Sequence, residues 1–384
     1  MIPLKTGNWR GVLHIQDEKE IPFTLVLKSD TTMVMHNADE KILVDEININ
    51  GDSILIKMPV FEGVFKGIID NEERITGEFS KPSLGRNVSF EMNFSNEQRF
   101  KSFRQETAKI EGVWEAVFSP NTEEDRYIAK GIFYQNGSTI TGTFRTTTGD
   151  YRYLEGTLNG DKLQLSTFDG AHAFLFEAIV TDSTMTGFFY SGNHWKEPFV
   201  AKRNSGYELP KATSLTYLKD GYESIDFSFP MTNEKMISLS DERYKNKVVV
   251  VQIMGTWCPN CLDETKYYSQ YYNLHKNDNI EFVALAFEYA KTEKKAFNSI
   301  NRFQEKINVP YPILLAQFGT SDKNKANEKL PMLNHILSYP TTIFIDKKGK
   351  VRRIHTGFNG PATGDVYLEF TKDFEGFVAK LIEE

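Results

Sequence analysis

The stretch that most constrains this chain is Val248-Val-Val-Val-Gln-Ile-Met-Gly-Thr-Trp-Cys-Pro-Asn-Cys-Leu-Asp-Glu264. Its unbroken apolar run, Val248 to Val251 continued by Ile253 and Met254, predicts a central strand buried on both faces, as a parallel sheet requires. Gly255 and Thr256 end the strand, and Leu262 to Lys276 then reads as a helix. Cys258 is therefore expected at the C-terminal end of a strand, near a helix start. Cys258 and Cys261 are the only two cysteines in 384 residues, so any sulfur chemistry is confined to this turn.

The thiolate is the reactive form of cysteine. The free N–H groups and partial positive charge of a helix N-terminus favour an anion there. Two intervening residues let the second sulfur, Cys261, reach back to the first. Attack by Cys258 on a substrate disulfide gives a mixed disulfide, which Cys261 resolves. Pro259 suits the first helical turn, where a missing N–H costs little. Zinc needs four ligands, and no second CxxC or HxxxH follows, so no metal is expected. A purely structural disulfide across two residues closes too small a loop to stabilise much.

A CxxC between strand and helix is the thioredoxin-like redox pattern. Residues 222–384 resemble the TlpA/ResA-like group of thioredoxin-fold thiol–disulfide oxidoreductases. The matching residues are Trp257-Cys-Pro-Asn-Cys261 with its Val-rich strand, and Tyr339-Pro-Thr-Thr-Ile-Phe-Ile-Asp-Lys-Lys-Gly-Lys350. The lead-in Asp226-Phe-Ser-Phe-Pro230 through Ile237-Ser-Leu-Ser240 matches as well. The resemblance implies that Pro340 is cis, packs beside the CxxC, and leaves the Tyr339 backbone free to pair with a substrate segment. Trp257 and Pro259 are expected to flank the same substrate site, with Trp257 shielding it. No cofactor is expected beyond the redox-active disulfide itself.

Two departures matter. Thioredoxin has a buried aspartate six positions before its first cysteine. Here Gln252 stands there and cannot exchange a proton. TlpA/ResA-like proteins often carry a glutamate three residues after the second cysteine, and Glu264 fills that place. Glu264 reads either as the proton acceptor for Cys261 or as an exposed carboxylate favoured at a helix start by the dipole. A peroxiredoxin would need Thr or Ser three residues before the cysteine and a proline further back; Gly255 and Val251 occupy those positions.

From Asn8 to about Arg203 the pattern changes to short alternating runs such as Phe23-Thr-Leu-Val-Leu27, broken by Gly, Asn and Asp. This half repeats itself. Gly7-Asn-Trp9 parallels Gly112-Val-Trp114, and Asn50-Gly-Asp52 parallels Asn159-Gly-Asp161. Arg74-Ile-Thr-Gly-Glu-Phe79 parallels Thr184-Met-Thr-Gly-Phe-Phe189. Each repeat is expected to hold about eight short antiparallel strands, as a small up-and-down barrel or curled sandwich. The opening Gly-x-Trp loosely resembles the first strand of lipocalin-like barrels. Trp9 and Trp114 read as core plugs of rigid barrels. Alternatively Phe168, Phe174, Phe176, Phe188, Phe189, Tyr190 and Trp195, with His172 and His194, surround a ligand site in a barrel mouth. The charged link Asn96 to Glu106 reads as a short helical turn.

The expected layout is a multidomain chain: β repeats over 1–105 and 106–205, a linker over 206–221, and an α/β thioredoxin fold over 222–384. Within the last, Thr292 to Ile307 reads as a helix capped by Thr292, Tyr311 to Leu315 as a strand, and Asn327 to Leu337 as a helix. Thr341 to Asp346 and Val351 to His355 read as a hairpin, and Thr363 to Ile382 as the closing helix. Gly357 is placed to let a partner backbone come close to the active site.

Forty per cent hydrophobic and 13% aromatic residues suffice for packed cores. A net charge of −7 without a basic patch argues against nucleic acid. No apolar run approaches the roughly 20 residues of a membrane helix. The first nine residues lack the basic start and apolar core of a signal peptide, which alone reads as cytoplasmic. The resemblance instead implies the periplasm or bacterial cell envelope. It also implies disulfide-containing protein substrates and a thiol electron donor, a membrane-embedded one included. The expectation is therefore a protein-disulfide reductase, with a redox-gated binding or adaptor protein as the rival class.

Overall fold

The structure is a computed structural model that describes residues 3–276 and 279–384. Met1 and Ile2, part of the opening segment read above for a leader, lie outside the described residues. The chain divides into two compact units. One runs to Thr146 and resumes over Tyr151–Leu209; the other is made of Thr147–Asp150 and Pro210–Glu384.

Among the described residues, the first unit holds an open sheet of nine strands between Gly7 and Phe94, then a closed barrel of eight between Gly112 and Arg203. In the barrel each strand pairs antiparallel with the next, and Gly112–Phe118 pairs with Trp195–Arg203 to close it. In the open sheet Gly7–His14 pairs with Arg86–Phe94, but Glu40–Val44 and Glu46–Asn50 form opposite edges. The chain crosses between those edges at Asp45, which gives nine strands where about eight were expected.

The repeat motifs do the same work twice. Trp9 and Trp114 are buried, and each indole N–H donates to a carbonyl four residues upstream, Lys5 at 2.9 Å and Ile110 at 2.7 Å. Gly77 and Gly187 sit where neighbouring backbone leaves no room: a Cβ would lie 2.1 Å from the Lys66 carbonyl and 2.0 Å from that of Glu177. The link from Asn96 to Glu106 contains no helical turn.

The barrel interior is filled by side chains rather than open to a ligand. Phe144 is fully buried, with the rings of Phe118, Phe133, Tyr151, Phe176 and Phe199 within 6.4 Å of it, centroid to centroid. Phe168, Leu175 and Tyr190 instead join the core of the open sheet. Of the aromatics considered for a mouth, Phe188 and Trp195 remain exposed. Two open grooves in this unit, of about 410 and 330 Å³, are lined by residues such as Ile54 and Lys66, or Trp9 and His36, not by those aromatics. His172 stacks on Phe174 at 4.3 Å, which is packing.

In the second unit β1 (Ser228–Pro230) and β2 (Met236–Ser238) form a small hairpin. The main elements follow: β3 (Val248–Met254), α1 (Pro259–His275), β4 (Ile280–Phe287), α2 (Glu293–Ile307), β5 (Ile313–Gln317), α3 (Lys323–Lys329), β6 (Thr341–Ile345), β7 (Val351–Thr356) and α4 (Asp365–Glu383). Sheet order is β5-β4-β3-β6-β7, parallel across β5, β4 and β3 and antiparallel across β3, β6 and β7. Every residue of β3 is buried, as its valine run requires of a central strand. This is the thioredoxin fold. Thr292 caps α2, its hydroxyl accepting from Lys295 N at 3.3 Å. The helix expected over 327–337 is displaced to α3, capped by Asp322 and ended before Pro331. Leu330, Leu333 and Ile336 are buried from irregular backbone, where Leu218 bridges Leu333.

Because Phe144 is enclosed by rings and Phe188 is not, truncating them should differ sharply. Phe144→Ala should cost about 3–5 kcal/mol in denaturant unfolding, and Phe188→Ala less than about 1 kcal/mol. Equal small losses would mean that the barrel interior is not packed.

Candidate functional site

β3 delivers Thr256 and Trp257 to the start of α1, and Cys258 is that helix's N-cap. Its Sγ accepts from the Cys261 N–H at 3.2 Å, so the sulfur satisfies one of the helix's unpaired donors. Pro259 occupies the first helical turn, as expected from its fixed φ. Cys258 Sγ also lies 3.4 Å from the Tyr339 carbonyl, and the Tyr339–Pro340 bond is cis. Both cysteines are free thiols and buried, Cys261 completely. Burial, reinforced by the neighbouring Cys258 sulfur, pushes the Cys261 thiol well above its usual range.

Trp257 stands over this turn. Its indole N–H donates to the Phe287 carbonyl at 3.0 Å, and its ring meets Tyr339 edge-on at 5.5 Å. Thr256 is pinned by Glu288, whose carboxylate accepts from the Thr256 N–H and hydroxyl, each at 2.8 Å. Sequence reasoning missed Glu288. A carboxylate following the last residue of a parallel strand beside the CxxC strand was the available signal, since sites in such sheets gather at the strands' C-terminal ends.

Glu264 is fully buried, which overturns the reading as an exposed helix-start carboxylate. It sits three residues after Cys261, hence on the same helix face. Gln252 donates to its Oε2 at 2.8 Å; Thr342 and Tyr268 hydroxyls reach its Oε1 at 2.9 and 3.1 Å. Thr265 links this cluster to the CxxC, its hydroxyl contacting Gln252 Oε1 at 3.0 Å and the Cys261 carbonyl at 2.7 Å. Burial pushes the Glu264 pKa up to about 7, against three hydrogen bonds that lower it. Tyr268 packs against Phe282 and Phe374 while its hydroxyl serves the carboxylate. His355 is held neutral by burial, its pKa lowered to about 4, and meets Phe370; it is a packing residue.

The structure thus gathers Trp257, Cys258, Pro259, Cys261, Tyr339 and Pro340 at one turn, with Glu264 beneath. Among the described residues, no group of three or more His, Cys, Asp or Glu is arranged to hold a metal ion.

The Redoxin family profile matches residues 212–367, leaving residues 1–211 outside it. The thiol-disulfide oxidoreductase ResA of Geobacillus kaustophilus (strain HTA426) is 30% identical over 145 residues, covering 38% of this chain and 74% of that protein. ResA of Bacillus subtilis (strain 168) is 27% identical over 140 residues, 36% of this chain and 69% of that protein. The thioredoxin-like protein YneN of the same organism is 28% identical over 141 residues, 36% of this chain and 73% of that protein. Fold, paired thiols and relatives together define a thioredoxin-fold thiol–disulfide oxidoreductase. More narrowly, the chain belongs to the Redoxin family and, within it, to the ResA-like enzymes.

The raised Glu264 pKa has a consequence for stability. In the unfolded chain this carboxyl ionises near its ordinary value of 4.5; in the folded chain it holds its proton up to about 7. Between those values the folded state binds more protons, so stability falls as pH rises, and the full cost is present above about 7. Relative to Glu264→Gln, the wild type should therefore lose on the order of 3 kcal/mol between pH 4 and pH 8 in denaturant unfolding. A pH-independent difference would show that Glu264 titrates normally.

Proposed function

We propose that Cys258 is the nucleophile of a reductase that acts on disulfide-containing proteins in the bacterial cell envelope. The observation that carries this is the placement of Cys258 Sγ at the α1 N-terminus, 3.2 Å from the Cys261 N–H and 3.4 Å from the Tyr339 carbonyl. The Cys258 thiolate attacks one sulfur of a substrate disulfide. That S–S bond breaks, and the departing sulfur leaves as a thiolate that takes up a proton. Cys261 then gives its proton to the Glu264 carboxylate and attacks the Cys258 sulfur of the mixed disulfide. The second substrate thiolate leaves and is protonated in turn by Glu264. Two electrons have passed to the substrate, and the enzyme holds a Cys258–Cys261 disulfide that a thiol donor must reduce.

Trp257, Pro259, Tyr339 and Pro340 form the substrate wall in this reading. Tyr339 and Pro340 offer backbone, and Trp257 limits approach from its own side. The envelope location and the donor, a membrane-embedded thiol among the candidates, rest on kinship with ResA-like proteins. Glu264 must be ionised to accept the Cys261 proton, so resolution should accelerate as pH rises through about 7.

Variants of the two thiols and the potential of the pair test this together. Cys258→Ser should abolish exchange with glutathione disulfide, whereas Cys261→Ser should stop at a single mixed-disulfide adduct, visible by mass. Equilibration of the wild type with glutathione should give a potential near or below about −270 mV, as suits a reductase. A potential near about −120 mV would reverse the arrow and make the protein a disulfide donor.

A further inference from the structure

Gly357 was expected to admit a partner backbone beside the active site, and within the second unit such a backbone is already present. Thr147–Asp150 belongs to this unit and runs along the rim of the CxxC site. The Ser338 hydroxyl donates to the Thr148 carbonyl at 2.8 Å, and Gly149 forms a parallel bridge with Phe358. The Asn260 side-chain amide donates to the Asp150 carbonyl at 3.2 Å. The Gly360 N–H donates to the Asp150 carboxylate at 2.6 Å.

The approach is close enough to require glycine on both sides. At Gly357, with φ +75°, a Cβ would lie 2.8 Å from the Thr148 carbonyl carbon. At Gly149, with φ +146°, it would lie 2.0 Å from the Asn260 amide nitrogen. The tetrapeptide therefore touches three parts of the rim. These are Asn260 between the two cysteines, Ser338 two residues before cis Pro340, and the loop after β7. An extended substrate segment that adds to the Tyr339–Pro340 backbone needs this same edge. Ser338 and Asp150 are both buried in the contact.

We propose that Thr147–Asp150 is a specificity-determining strap that fills part of the substrate-strand position, so that protein disulfides react only when it yields. The inference rests on the proposed role of Cys258 as the nucleophile. The strap's hydrogen bonds described above go to Asn260, Ser338 and Gly360, so a small reagent displaces less of it than an extended polypeptide does. Extended polypeptides compete with the strap's own hydrogen bonds, and the Gly360 N–H bond to the Asp150 carboxylate is a charge-assisted one.

The test uses the full chain, the variants Gly149→Val and Asp150→Ala, and three readouts. Gly149→Val drives a side chain into Asn260; Asp150→Ala removes the bond to Gly360 without adding bulk. In either variant, amide exchange at Gly360 should accelerate and insulin disulfide reduction should rise roughly tenfold, the population change expected from losing one charged hydrogen bond. Alkylation of the reduced protein by iodoacetamide should stay within about twofold. Faster Gly360 exchange with unchanged or slower insulin reduction overturns the strap, and so does unchanged Gly360 exchange in both variants. Absence of exchange with glutathione disulfide in every form, wild type included, would remove the oxidoreductase reading itself and the strap with it.

Discussion

The site depends on one junction, the passage from β3 into α1. Seven consecutive buried residues fix β3 at the centre of the sheet, leaving little freedom in where the chain emerges. The first polar work after that exit is done by sulfur. Cys258 caps α1 with its own side chain, a position where Ser, Thr, Asp or Asn is the usual choice. The same atom that satisfies the helix is thereby held at the Tyr339 carbonyl. Structural and chemical demands on Cys258 are met by one placement. Glu288 and Phe287 then fix Thr256 and Trp257 so that the turn cannot drift.

The duplicated half follows a different constraint. A barrel of eight strands has an interior about wide enough for side chains to fill, and here aromatic residues fill it. The open sheet is completed differently. Phe168, Leu175 and Tyr190 from the second repeat enter its core, and the Asn37 side chain pairs with both the N–H and the carbonyl of Phe168. That pairing replaces the ladder hydrogen bonds a neighbouring strand would supply. Arg99 adds bonds to Ser166 and Asn37, while Arg152 pairs with Glu40 at 2.5 Å. Each repeat keeps its own core, and the two are joined by this polar seam and by the second-repeat side chains that enter the first core.

What the sequence disclosed followed from how local each signal was. The valine run, the Trp-Cys-Pro-Asn-Cys turn and Tyr339-Pro340 are short, contiguous and chemically restrictive, and the oxidoreductase class was legible from them. Repetition of Gly-x-Trp and of the Thr-Gly pair exposed the duplication because each motif solves a backbone problem that recurs. The helix placed over 327–337 failed because burial of Leu330, Leu333 and Ile336 mimics a helical stripe. Pro331 cannot sit inside such a helix, and that rule should have outweighed the periodicity. The partners of Glu264 lie 12 residues back in Gln252 and 78 ahead in Thr342, separations that no local pattern reveals. The contacts of Thr147–Asp150 reach residues 110 to 210 positions away and were illegible for the same reason.

Gln252 and Glu264 are best understood as one arrangement. An acid at position 252 together with Glu264 would put two carboxylates in one buried cluster, and their titrations would couple, pushing one proton loss far from neutral pH. A lysine or arginine beside Glu264 would have the opposite effect, holding it ionised and leaving it a poor proton carrier near neutrality. The chain takes neither course. It surrounds a single buried carboxylate with neutral donors from Gln252, Thr342 and Tyr268, which steady its geometry without fixing its charge. Desolvation then sets the balance near pH 7. The acid has moved from the strand to the helix, three residues from Cys261. In the proposed mechanism it serves Cys261, a thiol whose ionisation burial disfavours. A buried carboxyl that costs stability at and above neutral pH calls for a chemical reason, and in the proposed mechanism a thiol that must lose its proton supplies one.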